Sequence, residues 1–530
     1  MLFKKVSGRR PTLFRLQPGL APSDMPCLPC QTPNKYSCCF MEHPAKASQP
    51  HVCQRGQRRC RGMSLEPIGI FTLALGVLCL LLGSSSTVIV FVTLTVFGAA
   101  AAILAGSASI QPAHLFLGFL AFSTLSFQRD FAVALAEFKF PKPAFWLTCL
   151  LFYGAAAGFF APRLFAGATN IIPLGTSDYP STGGAVPLGP VSSNFTQAVY
   201  LAADLLTFVL MACIGSTERG FRAIAIGVAG FSVANAAFAI LDLATYGTSM
   251  QSLFGYIRNA QYVFHDEDVV AGVKRVVGSW PEASAFAGMS LASIGFTGTM
   301  WLCGRNSRLN GSLFLISVFL VVRSTSSTGL FALPLCCVLL FLTAAGRGIG
   351  STASTWRSTT TVVFVPPLLV TVALVLALDN DLYRKIYDYV DLLLLSKSTS
   401  SSAMVRGSWN LYAYQNFIDS FGLGVGLGTS RTSSFIFALL SNVGVPGTIF
   451  FFLFVLSVLL RQRSLPRSGT SDIQLSARNG CICIMIGALV AGPTVDLGLL
   501  FFILAGLAWA RPATARVTVP QQQLFLRQIS

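Results

Sequence analysis

Residues 406–428 read RGSWNLYAYQNFIDSFGLGVGLG. Arg406 opens the stretch, Trp409 and Tyr412 follow, and Gly422, Gly424, Gly426 and Gly428 close it at two-residue spacing. A guanidinium grips phosphate through two parallel hydrogen bonds. Alternating glycines let successive N–H groups turn toward one anion. They equally allow a tight bend, and both readings stand on the sequence alone. Three further cations flank apolar runs: Arg275 in RVVGSWPEASAFAG, Arg323 in VVRSTSSTG, and Arg431 just past the glycines. At such a depth a partly desolvated guanidinium gains more from an anion than it would in water. An arginine at a helix end also snorkels to headgroups with no substrate at all. Glu282, directly after Pro281, adds a carboxylate beside the run that Arg275 flanks and is well placed to begin a helix.

The remaining polar motifs carry less. DED at 266–268 and DND at 379–381 resemble carboxylate pairs that hold a divalent metal, but two acids in a solvated loop are ordinary. CLPC, CC, His43 and His51 fit no zinc-finger spacing. No metal and no cofactor is expected. Asp204 sits inside an apolar run, where an acid is expensive and is either functional or paired; the sequence names no partner for it. His114 lies beside the start of another run and reads as structural.

The elements that must position these groups are transmembrane helices. Hydrophobic residues make up 53% of the chain and charged residues 11%, against roughly 25% charged in soluble domains. Apolar runs long enough to cross a bilayer fall near 68–83, 86–106, 112–127, 144–161, 196–214, 221–241, 283–303, 309–322, 328–344, 361–378, 435–460, 479–494 and 497–510. The expected fold is an all-α polytopic bundle of about 12–13 spans. Arg219 and Arg222, Arg305 and Arg308, Arg347 and Arg357, the Arg461–Arg478 group and the C-terminal arginines fall on one side if the spans from 196 onward alternate. Positive charge marks that side as cytoplasmic. The long loops 162–195, 242–282 and 379–434 then face outward, and the last is expected to be large and partly helical.

The formal net charge is +17, and residues 1–62 contribute eleven Lys/Arg against two acids, a net of nine. They hold six of the 14 cysteines and no apolar run. The segment reads as a basic extension, disordered or placed before the natural start at Met63. Residues 63–510 form the membrane domain and 511–530 a cytoplasmic tail. A strongly basic chain invites a nucleic-acid reading; the apolar content excludes it as the main role.

The 406–428 stretch, followed by SSFIFALLSNVGVPGTIFFFLFVL, resembles the bacterial O-antigen polymerase and O-antigen ligase family. RVVGSWPEASAFAG and STSSTGLFALPL resemble segments of exopolysaccharide polymerases of that group, and the likeness spans roughly residues 200–460. It implies a C-type membrane glycosyltransferase in a bacterial inner membrane. The implied donor is a glycan on undecaprenyl diphosphate, with membrane lipid around it and chain-length regulator or flippase proteins as partners. The resemblance assigns Arg406 to the leaving diphosphate, with Arg275 and Arg323 beside it and Glu282 as base. Trp409, Tyr412, Gly424, Gly426, Gly428 and Arg431 would hold substrate. Ligases of the family carry His, then Asn, Ser or Gln, nine residues, and GxxG. Here Gly444-Val445-Pro446-Gly447 supplies the GxxG, while Ser433 stands at the place of the His. That departure favours a polymerase over a ligase. A transporter is the third reading; it would put charges near the midplane in broken helices, whereas here they collect in the loops.

Overall fold

A computed structural model describes residues 63–105, 108–175, 184–261, 269–270, 272–348, 355–391, 401–461 and 468–512. The basic extension, the DED motif, His265 and most of the C-terminal tail lie outside the described residues. A short strand β1 (Ser64–Leu65) leads into α1 (Pro67–Leu82) and α2 (Ser84–Leu94). Strands β2 (Ile103–Ala105) and β3 (Ala108–Ile110) precede α3 (Pro112–Leu125), α4 (Gln128–Glu137) and α5 (Pro143–Leu164). A hairpin of β4 (Asn170–Ile171) and β5 (Val186–Pro187) leads to α6 (Ser193–Ile214) and α7 (Glu218–Ala244). A 3-10 turn (Ser249–Tyr256), β6 (Val269–Val270) and β7 (Val273–Lys274) fill the next loop. Then come α8 (Ala283–Leu302), α9 (Ser307–Arg323), α10 (Ser327–Gly348) and α11 (Trp356–Leu378). The large loop holds α12 (Asn380–Val390) and α13 (Ser401–Asp419), followed by α14 (Phe435–Leu459), α15 (Gly469–Val490) and α16 (Leu499–Trp509). The strands form three small antiparallel sheets, β1-β2-β3, β4-β5 and β6-β7.

This is an all-α polytopic bundle. Among the described residues, eight helices are long and apolar enough to cross a membrane: α5, α6, α7, α8, α10, α11, α14 and α15. α8 is enclosed by α9, α10 and α15, while the apolar length of α11 has no buried residue. An exposed apolar helix of that length is stable only against lipid. The chain is a multi-pass membrane protein.

The expected 86–106 span is corrected. α2 stops at Leu94 because another loop docks on the next residues. Ser279 donates to the Val96 carbonyl at 2.7 Å and accepts from the Ala99 N–H at 3.0 Å through its own carbonyl. The Trp280 ring lies on Gly98, where a Cβ would come within 2.2 Å of it. The Val96 carbonyl and the Ala99 N–H, which a helix would pair internally, are paired with Ser279 instead, while the neighbouring N–H groups close tight local turns. The expected 497–510 span is also shorter. α16 has 11 residues, about 16 Å at ~1.5 Å per residue, or half of a bilayer core of roughly 30 Å.

The two ends of the bundle differ chemically. At one end Arg305 and Arg347 both meet Asp472 at 2.9 Å, Arg357 lies against Gly304, and Arg461 stacks on Trp509. The arginine-bearing connections thus share one end. The loops after α5 and α7, and the passage after α13, share the other.

Candidate functional site

The GLGVGLG passage is a docking segment for a broken helix. α14 is interrupted at Gly444, with φ 59° and ψ −164°. Its sequence explains the break. Pro446 has no N–H, so the Asn442 carbonyl loses its helical donor four residues on. The Val445 N–H turns away to the Gly422 carbonyl at 2.8 Å, which frees the Ser441 carbonyl as well. Both freed carbonyls are taken by the loop: Val425 N–H donates to Ser441 at 2.7 Å and Gly426 N–H to Asn442 at 3.1 Å. Side chains lock the join. Asn442 accepts from the Ser430 N–H and donates to its carbonyl; Asn194 donates to the Leu427 carbonyl; Asn416 donates to Ser430 Oγ.

This corrects the anion-nest reading of Gly424, Gly426 and Gly428. All three are buried. Gly424 N–H donates to Ser420 Oγ at 3.0 Å, and Gly426 N–H to the α14 carbonyl. A Cβ on Gly424 would sit 2.7 Å from the Gly444 nitrogen, and one on Gly428 2.5 Å from the Ser193 carbonyl. The glycines let backbone meet backbone. Gly444 itself occupies a region that only glycine populates, at about 1–3 kcal/mol for any other residue, and its added Cβ would lie 2.3 Å from the Gly422 oxygen. Gly444→Ala is therefore expected to lower the melting temperature of the purified protein and its folded yield. A melting temperature equal to wild type would remove the docking role.

Around this platform the structure gathers three of the sequence-predicted residues. The Arg431 guanidinium lies over the Trp409 ring at 4.6 Å. Arg431 is exposed as a residue, yet loss of water over the indole lowers its pKa, and the nearby Glu282 carboxylate opposes that shift. Glu282 is the residue that begins α8, but its side chain caps no backbone N–H; it accepts from Ser284 Oγ. The start-of-helix reading and the facing-the-site reading both describe it. Asn410, next to Trp409, accepts from the Ser433 N–H at 2.9 Å, which ties Ser433 to α13.

α13 presents one face to this region. Ala413, Asn416 and Ser420 are buried, and Arg406, Trp409 and Asn410 continue the same face at spacings of three and four. Arg406 is half-buried there. Tyr412 lies on a neighbouring face, also half-buried. Arg323 is the last residue of α9 and donates to the Lys274 carbonyl at 2.7 Å, which brings it to the residue before Arg275. Arg275 is half-buried in the same loop. No contact joins this second pair of arginines to Arg431 among the described residues.

Two further cations of the 242–282 loop, Arg258 and Lys274, are held internally. Asp242, fully buried at the end of α7, accepts from Arg258 at 2.7 Å and Lys274 at 2.6 Å on one oxygen. The other oxygen accepts from the N–H groups of Val277 and Gly278 at 3.0 and 3.1 Å. Arg258 also donates to the Gly278 carbonyl. This hub shapes the whole 242–282 loop and so positions Glu282. Sequence reasoning missed Asp242; its signal was an acid at a span end with cations 16 and 32 residues on.

The arrangement offers a cation, an aromatic platform and a carboxylate at one point of the loop-bearing end. Such a point suits a sugar bearing an anionic group. No protein-family model matches the chain, and no curated protein matches it.

Proposed function

We propose that the protein polymerises lipid-linked polysaccharide repeat units at the outer face of a bacterial inner membrane. The donor is a glycan on undecaprenyl diphosphate, and the acceptor is a sugar hydroxyl. The observation that carries this reading is the Arg431–Trp409–Glu282 constellation, with Arg406 one turn from Trp409 on α13. Breaking the glycosyl bond gathers negative charge on the diphosphate, and preorganised cations stabilise it as it forms. Glu282 takes the acceptor proton. The aromatic rings of α13 hold the sugar.

A second reading, a polysaccharide or glycolipid transporter, is favoured by one observation: Asp204, midway along α6, meets Asp496 just before the half-span α16. Charged groups beside an interrupted span are the pattern of transporters. A deletion strain separates the readings. Single repeat units on lipid at the outer face are the expected result. Long chains left on lipid and not joined to core would indicate a ligase. Repeat units trapped on the cytoplasmic face would indicate the transporter and overturn the polymerase.

A further inference from the structure

At the arginine-bearing end, Arg305 and Arg347 pair with Asp472, and Arg222 pairs with Glu218. Arg461 is held differently. It follows Leu460 at the end of the 25-residue α14, and its guanidinium lies over the Trp509 ring, 3.3 Å from the centroid. Its Nη1 is buried and has no hydrogen-bond partner among the described residues. The acid of this corner is Glu137, the last residue of α4, and its two oxygens are already engaged. Oε1 accepts from Lys142 Nζ at 2.9 Å, and Oε2 accepts from the Trp509 indole N–H at 2.7 Å.

The corner is built from several helix ends. Lys142 is the residue before α5, and Trp509 is the last residue of α16. Ala510, next to Trp509, accepts from Gln474 Nε2 at 2.6 Å, so α15 fixes the ring that Arg461 covers. Loss of water brings the Arg461 pKa down to about 10. The positive charge of Arg511, two residues past Trp509, acts in the same direction, and Glu137 opposes both. A cation withdrawn from water and left without an acceptor is costly. Lys142, Arg461 and Arg511 outnumber Glu137 here, so an anion from outside the chain is the complement that the corner lacks.

Stacking uses the face of a guanidinium and leaves its edge N–H groups for a pair of oxygens. A phosphate diester supplies such a pair. Depth selects where the phosphate comes from. Arg461 and Lys142 adjoin the ends of two membrane-spanning helices, the level at which lipid head groups lie. From Arg461 an exposed apolar stripe runs back along α14 through Leu460, Leu456 and Phe452 at four-residue intervals. A soluble phosphate gains nothing from that stripe, whereas a lipid uses the cation and the stripe together.

We propose that the Arg461–Trp509 corner binds the phosphate of an anionic phospholipid whose acyl chains lie along Phe452, Leu456 and Leu460. The Arg461 edge holds two phosphate oxygens. Lys142 and Arg511 repel a head group that carries its own ammonium, which sets the preference for an anionic lipid over a zwitterionic one. Basic pockets between the ends of membrane helices hold anionic head groups in this way. The corner lies at the opposite end of the bundle from the Arg431 constellation, so it stands or falls separately from the glycosyl-transfer reading.

The test is native mass spectrometry of the full chain, released from micelles that hold equal amounts of dioleoylphosphatidylglycerol and dioleoylphosphatidylcholine, with lipid kept scarcer than protein. Wild type is expected to retain phosphatidylglycerol in about tenfold preference, the scale of one charge-assisted contact. Arg461→Gln is expected to bring the two lipids close to parity. Arg222→Gln removes the same charge from an exposed site at the same end and is expected to keep the wild-type ratio. Where Arg461→Gln fails to fold, Arg461→Lys keeps a charge beside the ring and lacks the planar fork; it is expected to lose most of the preference. Equal retention of the two lipids by wild type overturns the proposal, and so does a wild-type ratio in either Arg461 variant. A loss in Arg222→Gln as large as that in Arg461→Gln would mark a general effect of charge and overturn the site. Displacement of the lipid by an excess of inorganic phosphate would assign the corner to a soluble anion and overturn the lipid.

Discussion

Arg406→Ala is expected to abolish polymer while the protein still inserts in the membrane. Arg406 lies on the α13 face that carries Trp409 and Asn410, half-buried at the loop-bearing end. If it meets the leaving diphosphate, its contribution grows as charge develops. Loss of one such interaction costs on the order of 3–4 kcal/mol, roughly a hundred- to a thousandfold in rate. Arg406→Lys is expected to recover little, because an ammonium does not reproduce a two-pronged contact. The contrasting role is an anchor to headgroups. An anchor would tolerate Lys and, as Ala, would reduce membrane levels more than turnover. The measurement is polymer formed per unit of inserted protein for both variants. Near-normal turnover in Arg406→Ala removes the residue from the site and leaves Arg431, already facing Glu282, as the principal cation.

Asp242→Ala is expected to be the most destabilising single change in the 242–282 loop. It leaves Arg258 and Lys274, each with a side chain 3% exposed, without their carboxylate. It also strips the N–H groups of Val277 and Gly278 of their acceptor. Removing one partner of a buried pair costs about 3–5 kcal/mol. The matched control is Glu218→Ala, which breaks the exposed Glu218–Arg222 pair within α7; such surface pairs contribute ~0–1 kcal/mol. Thermal unfolding of the two purified variants is the measurement. Equal melting temperatures would show that the hub does not hold the loop. Because the hub sits between α7 and the start of α8, loss of Asp242 is also expected to displace Glu282 and lower polymer yield per folded molecule.

Composition and hydropathy are local properties, and they determined the class of this protein. A chain with 53% hydrophobic and 11% charged residues can satisfy its backbone in lipid only as helices or a closed barrel. The long apolar runs chose helices, and the full-length spans fall on those runs, except that α15 begins ten residues before its own and takes in Arg478, which the charge pattern placed in a connection. Charge spacing likewise told which connections share an end, because each short loop must return the chain to the side it left. Arg431, Trp409 and Glu282 were legible as chemistry-bearing residues. Their meeting was not, since 127 residues separate Trp409 from Glu282.

Only the tertiary structure decided where backbone polar groups are paired. Pro446 announces a broken helix, but not that Val425 and Gly426 supply the missing donors. The glycines therefore read as a nest when they are a joint between segments. The same cause shortened α2, whose continuation pairs with Ser279. Asp472 followed the same logic: a buried acid demands a partner, and the chain met that demand with Arg305 and Arg347, more than a hundred residues away. In lipid every unpaired polar group costs several kcal/mol, so partners are found at whatever sequence distance the packing allows. That distance is set by topology, which a one-dimensional pattern does not carry.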